Sequence, residues 1–382
     1  MSHSLGPLVA PVVAVILMAG CSTALWPWSR AKQRDEPRLN HIQALGSHNS
    51  YKQAIAPELL RVIAERDADL AQELDYSHIA LAEQLDLGLR QLEIDIFHDP
   101  DGGRYANPLG MRMLQVSGWN PGPDYDVEQY MSEPGFKVLH VQDIDFRSNC
   151  MTLKRALEEL VDWSEQRPGH LPIAITMNAN DSAIPLAGSV EPLPFDAAAF
   201  DALDAEIRAT LPPNMLITPD DVRGKAETLE SAVLAGAWPP LSKARGKFLF
   251  VLDEGGDKQK AYVDGHPSLR GRVLFVAASP GTPEAAFLIM NDPIGAGAEI
   301  ARLVDLGYVV RTRADSGTIE ARAGDYSRAE AAAASGAHFI STDYYQADAS
   351  MDTGYRVRLP DGVTTRWNPV TAAEHAKGGL AP

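Results

Sequence analysis

The chain has 382 residues, 45% of them hydrophobic and 22% charged, a composition that excludes a disordered or fibrous protein and is enough for one large barrel or two ordinary domains. A net charge of −17 argues against nucleic acid, which needs clustered Lys and Arg, and against docking on anionic lipid through a basic patch. An acidic chain that handles a phosphate must then supply cations locally, from a metal or from a few placed Arg and His.

In chain order, Leu8 to Ala19 comes first, an apolar run too short to span a bilayer, followed by Gly20-Cys21. Met18-Ala19-Gly20-Cys21 resembles a bacterial lipobox, although Met18 stands where Leu is usual and no Lys or Arg precedes it. Residues 1–21 are expected to export the chain to the periplasm or beyond, with Cys21 lipidated and the anchor holding it to a membrane. An ordinary cleaved signal or a short anchor is the alternative. Residues 22–38 read as a tether, 39–356 as the catalytic domain and 357–382 as an appended strand with a loose end. The other cysteine, Cys150, is then a lone thiol, expected to be buried and inert.

From Leu39 onward, apolar strands alternate with amphipathic helices, the rhythm of a parallel sheet. The expected strands are Ile42–Ser47, Arg90–Phe97, Lys137–Val141, Pro172–Met177, Lys247–Leu252, Ala286–Asn291, Tyr308–Arg313 and His338–Thr342. Eight strands are what a closed (β/α)8 barrel of TIM type requires, so the fold class is α/β. Met215–Thr218 and Val273–Ala277 are possible extra strands, and an open doubly wound sheet is the alternative. Leu153, Leu157, Leu160 and Val161 repeat on one helical face until Pro168-Gly169. A helix is expected from about Ser77 to Leu87, closed by Gly88. Ser327 with Glu330 reads as a capping box, and Gly336 ends that helix. Residues 183–194 read as a long loop. Gly295-Ala-Gly297 opens a helix but lacks the third glycine of a dinucleotide loop, since Ile300 stands there.

The chemistry concentrates in Arg90-Gln91-Leu92-Glu93-Ile94-Asp95-Ile96-Phe97. Leu92, Ile94 and Ile96 share one strand face and Glu93 and Asp95 the other, so a barrel would aim both carboxylates into its lumen. Buried and unpaired, they would cost several kcal/mol each, and a cation offsets that. The alternative is a half-exposed antiparallel strand. His48-Asn49 ends the first expected strand and His140 another, where barrel enzymes place catalytic groups. Two imidazoles and a cation suit phosphodiester cleavage, one ring taking a proton from the attacking hydroxyl and the other protonating the leaving oxygen. Oxygen donors favour calcium, or magnesium, over zinc.

His48-Asn49, Glu93-x-Asp95 and His140 together resemble the set of calcium-dependent phosphatidylinositol-specific phospholipases C, the bacterial branch above all. The likeness continues through Arg311-Thr312-Arg313-Ala314-Asp315, Ser335-Gly336-Ala337 and Ser341-Thr342-Asp343-Tyr344-Tyr345. The resemblance implies His48 and His140 as an acid/base pair, either one serving as the base, calcium on Asn49, Glu93 and Asp95, and a phospholipid or other phosphodiester substrate. The family's further Glu falls where this chain has Asn178-Ala179-Asn180-Asp181, so Asn178 is a weaker fourth ligand. Arg311, Arg313, Asp253 and Asp343 are candidates for binding substrate, and a monomer is expected. A glycerophosphodiester phosphodiesterase shares the pattern but usually has Arg where Asn49 stands. A silent barrel binding inositol phosphates is the non-enzymatic alternative.

Overall fold

The apolar runs of the sequence become the staves of a barrel. The computed structural model describes Met1, residues 36–375 and Leu380; Cys21 and most of the expected tether lie outside these residues. Among the described residues there are ten strands: β1 (Ile42–Ser47), β2 (Gln91–Asp99), β3 (Gly135–Val138), β4 (Ile173–Ala179), β5 (Phe248–Leu252), β6 (Leu274–Val276), β7 (Phe287–Ile289), β8 (Val309–Arg313), β9 (Phe339–Thr342) and β10 (Thr365–Trp367). Eight of them are parallel and follow the order β6-β5-β4-β2-β1-β9-β8-β7. A single parallel bridge, Ala277 to Phe287, joins the two ends of that order. Strands buried on both faces read as continuous apolar runs, and Phe248-Leu-Phe-Val-Leu252 is one, with every residue buried.

Two assignments change. The run at Lys137–Val141 is not a barrel stave: β3 ends at Val138 and pairs antiparallel with β2, Ile96 opposite Val138 and Asp99 opposite Gly135. The eighth stave is instead β6, within the run at Val273–Ala277 first read as an extra. The cause is visible on β1, which meets β2 at one pair, Gly46 and Gln91. A Cβ at Gly46 would collide with the Gln91 side chain and carbonyl, so only glycine lets the strands touch there. Beyond that point β1 leaves the edge of β2, and β3 occupies it. β10 pairs with β1 further down, at Ile42 to Ala44.

The helix at Leu153–Gln166 forms as its spacing predicts, burying Leu153, Leu157 and Leu160, each a gain of roughly 2 kcal/mol. Thr152 caps it by accepting from the amide of Arg155 at 3.3 Å. The helix before Gly88 is shorter than expected, Leu81–Asp86. The helix at Ser327–Ala334 begins without the expected capping box; Ser327 donates its amide to Asp325 instead, at 2.8 Å. Met215–Thr218 supplies one bridge, Leu216 to Phe248. Cys150 is a buried free thiol, and burial raises its pKa far above the ordinary value. Among the described residues no helix is long and apolar enough to cross a membrane.

Candidate active site

The site lies where β1 and β2 part. His48 and Asn49 follow β1 in a tight turn, with Asn49 in the left-handed region at φ 45°, which asparagine tolerates. Ser50 pins this turn to the acid-bearing strand. Its amide donates to the Glu93 carbonyl at 2.9 Å, and its Oγ accepts from the Glu93 amide at 2.8 Å. Leu92, Ile94 and Ile96 pack in the core as alternation requires, while Glu93 and Asp95 are buried on the opposite, luminal face. On the neighbouring strand Asn178 stands level with Asp95.

His48 bridges two acids. Its Nδ1 lies 3.0 Å from Asp343 Oδ1, and its Nε2 lies 3.5 Å from Glu93 Oε1. Burial lowers the His48 pKa and nearby Arg313 lowers it further, against the pull of Asp343 and Glu93. The Tyr76 ring stacks on His48, and the Tyr76 hydroxyl accepts from Asn49 Nδ2 at 2.7 Å. His140 reaches the site from the other side. Because β3 runs antiparallel, the chain beyond Val138 travels back down β2 toward the level of Glu93 and Asp95. Burial would lower the His140 pKa, but its hydrogen bond to Asp145 and the charges of Asp145 and Asp95 raise it overall.

Glu93 and Asp95 differ in their partners. Glu93 Oε2 accepts from Arg311 Nη2, and although burial would raise the Glu93 pKa, Arg311, His48 and Arg313 hold it low. Asp95 Oδ2 accepts from Asn180 Nδ2 at 3.1 Å, and its Oδ1 is buried without a hydrogen bond. Burial, reinforced by the Glu93 charge, pushes Asp95 up to about 7 despite His140. Asp95 therefore has less compensating charge than Glu93, which holds Arg311. Asn49 and Asn178 spend their amide nitrogens on Tyr76 and on the Asp253 carbonyl (3.0 Å), leaving both amide oxygens for another partner. Among the described residues no three His, Cys, Asp or Glu side chains converge as a metal site, so a cation needs these amide oxygens. Two carboxylates, one with an orphaned oxygen, and two amide oxygens fit a hard cation.

The arginines are committed to protein groups. Arg311 is fully buried, donating to Glu93 and, at 2.8 Å, to Asn291 Oδ1, with Asp253 Oδ2 3.9 Å away. Asp253, raised by burial to about 6, follows β5 beside it. Arg313 donates to Asp343 Oδ2 at 3.2 Å and to the Asp315 carbonyl at 3.0 Å. Burial opposes charge on Asp343, yet His48, His78 and Arg313 hold its pKa well below the carboxylate range. Arg311 therefore pairs with Glu93, while Arg313 holds Asp343 and the Asp315 backbone.

A family model described as phosphoinositide phospholipase C, Ca2+-dependent, matches residues 37–369. The chain belongs to that family. As a member of this phospholipase C family, it is a phosphoric diester hydrolase. Its fold is similar to that of a calcium-dependent phosphoinositol-specific phospholipase C from Pseudomonas sp, at 15% identity and TM-score 0.53, covering 87% of this chain and 96% of that one. A Ca2+-dependent phosphatidylinositol-specific phospholipase C from Streptomyces antibioticus matches at 19% identity and TM-score 0.50, covering 81% and 95%. No curated protein matches the sequence.

The structure brings together the described residues singled out from the sequence and adds others; Cys21 lies outside the described residues. Tyr76, Lys52 and His78 carried no sequence signal, since none sits at a strand end. His78 Nδ1 lies 3.2 Å from the Tyr345 hydroxyl, and its Nε2 lies 3.7 Å from Asp343. Asp145 was legible only as an acid five residues beyond His140.

Proposed function

We propose that this phospholipase C cleaves a phosphatidylinositol-like lipid, with His48 as general base, His140 as general acid and Asn49, Glu93, Asp95 and Asn178 as ligands to calcium. The observation that carries this reading is the convergence of two differently partnered imidazoles on one Glu-x-Asp strand. His48 has Asp343 behind it and a cationic Arg313 nearby, surroundings that keep the ring neutral and ready to take the proton of an attacking inositol hydroxyl. His140 has Asp145 behind it, which favours the protonated ring that an acid needs. Calcium would offset charge on the phosphoryl oxygens and lower the nucleophile's pKa.

The other polar groups support these. Asp343 orients His48, and Arg311 braces Glu93. In this reading Asp253 would meet the head-group hydroxyls, and Arg313, held by Asp343 and Asp315, would add positive charge near the phosphate. Attack by the inositol hydroxyl forms a new phosphorus–oxygen bond, the bond to the glycerol oxygen breaks, and diacylglycerol leaves with the proton from His140. The reading also takes Cys21 as a lipidated anchor after export, which would hold an acidic enzyme at a membrane that its surface charge alone would not seek.

Release of diacylglycerol from phosphatidylinositol, with glycerophosphoinositol as comparison, tests the assignment. Activity should need calcium, vanish with EDTA and fall about 10²–10⁴-fold in His48→Ala, a general-base loss. Turnover that survives chelation, or that His48→Ala leaves intact, would overturn it.

A further inference from the structure

His140 is held from behind by a carboxylate whose own place depends on a buried lysine. Asp145 is 1% exposed, and its Oδ2 lies 2.7 Å from His140 Nδ1. The same oxygen lies 3.4 Å from Nζ of Lys52, a fully buried side chain. Lys52 Nζ also donates to the carbonyls of Leu74 and Tyr76 at 2.8 and 2.7 Å, and sits 4.5 Å from the centre of the Tyr76 ring. A buried ammonium needs a compensating charge, and Asp145 supplies it. The backbone prepares the meeting. Val141 and Asp145 exchange amide–carbonyl hydrogen bonds at 3.1 and 2.9 Å, folding the chain so that Asp145 returns to His140. Asp143 makes the turn at φ 70°, and its two carboxylate oxygens accept from the amides of Leu109 and Val190, each at 2.6 Å. Nothing in this loop binds substrate in the reading above, yet it is tied to three other segments.

We propose that Asp145, locked in place by Lys52, is the positioning residue for His140: by accepting the Nδ1 proton it leaves Nε2 facing the leaving oxygen. The proposal rests on the reading of His140 as the acid. In that step the bond from phosphorus to the leaving oxygen breaks and the Nε2 proton passes to that oxygen. The ring is left neutral, its Nδ1 proton still shared with Asp145. A carboxylate fixes the tautomer and orientation of an imidazole in this way in other acid–base sites.

Two substrates separate positioning from simple structural support. Phosphatidylinositol expels an alkoxide that needs a proton, whereas the p-nitrophenyl ester of inositol phosphate expels a phenolate that does not. With calcium present, Asp145→Ala should lower kcat on phosphatidylinositol about 10²–10³-fold, with KM little changed, and by roughly tenfold less on the p-nitrophenyl ester. Asp145→Asn keeps an acceptor for Nδ1 and should recover part of the loss. Adding Asp145→Ala to His140→Ala should cost little more, because the two act as one unit. Lys52→Met should show the same dependence on leaving group; if it fails to fold by thermal melting, Asp145→Asn decides. Equal losses on both substrates, or losses that add to those of His140→Ala, mean that Asp145 merely holds its loop, and the proposal falls. If His140→Ala itself hits both substrates equally, the acid reading fails and takes the proposal with it.

Discussion

Asn178 shows how much a single residue can decide at this site. It stands level with Asp95 across β2 and β4, where a carboxylate would give the cation a third negative charge. As an amide it spares Asp95 another like-charged neighbour, and in the proposed ligand set it would grip the ion less. Asn178→Glu is therefore expected to tighten calcium roughly tenfold, since affinity in oxygen sites follows ligand charge. The same change should lower the melting temperature in EDTA. A calcium titration followed by thermal melting reads both, and unchanged affinity would remove Asn178 from the ligand set. His48, Asn49, Glu93, Asp95 and His140 were legible because their types and strand-end positions are visible in one dimension. Lys52 and Tyr76 were not, because what marks them is burial against groups far away in sequence: Lys52 lies 93 positions from the carboxylate it compensates.

At the level of elements, β3 and β9 carry the main lessons. The apolar run ending in His140 was legible as a strand, but its direction was not. Direction follows from the free edge that β1 leaves on β2, and no local pattern encodes that edge. β9 is anchored by His338, fully buried just before it, whose Nδ1 accepts from the Val310 amide at 3.1 Å and whose Nε2 donates to the Asn40 carbonyl at 2.9 Å. Burial drives its pKa down from the ordinary 6.5 to about 4. A depressed pKa means that the unfolded chain takes the proton first, so stability present above pH 6.5 is lost as pH falls from 6.5 toward 4. The gap is worth roughly 3 kcal/mol at most. Urea unfolding of wild type in EDTA should therefore lose stability more steeply between pH 6.5 and 4 than His338→Gln, whose amide can make both hydrogen bonds without titrating. Parallel slopes in the two proteins would show that His338 does not carry the effect.

For the whole molecule, the net charge of −17 sets its approach to substrate. Vesicles rich in phosphatidylinositol are anionic, and repulsion acts over about 10 Å at 0.1 M salt. Activity of the chain without its first 35 residues on such vesicles should rise as salt goes from about 10 to 150 mM, where the Debye length shortens. An enzyme with a basic docking patch would do the opposite, and a fall with salt would reveal such a patch.

The sequence by itself determined the strand–helix rhythm, the inward aim of Glu93 and Asp95, and the pairing of two histidines with an acidic strand. These depend on periodicity and residue type, which neighbours along the chain express. Tertiary structure alone decided that β6 completes the barrel while β3 turns back along β2, that Arg311 seizes Glu93, and that Lys52 and Asp145 stand behind His140. Each of these is a contact between distant segments, and its energy comes from shared burial and compensated charge, which exist only once the segments have met.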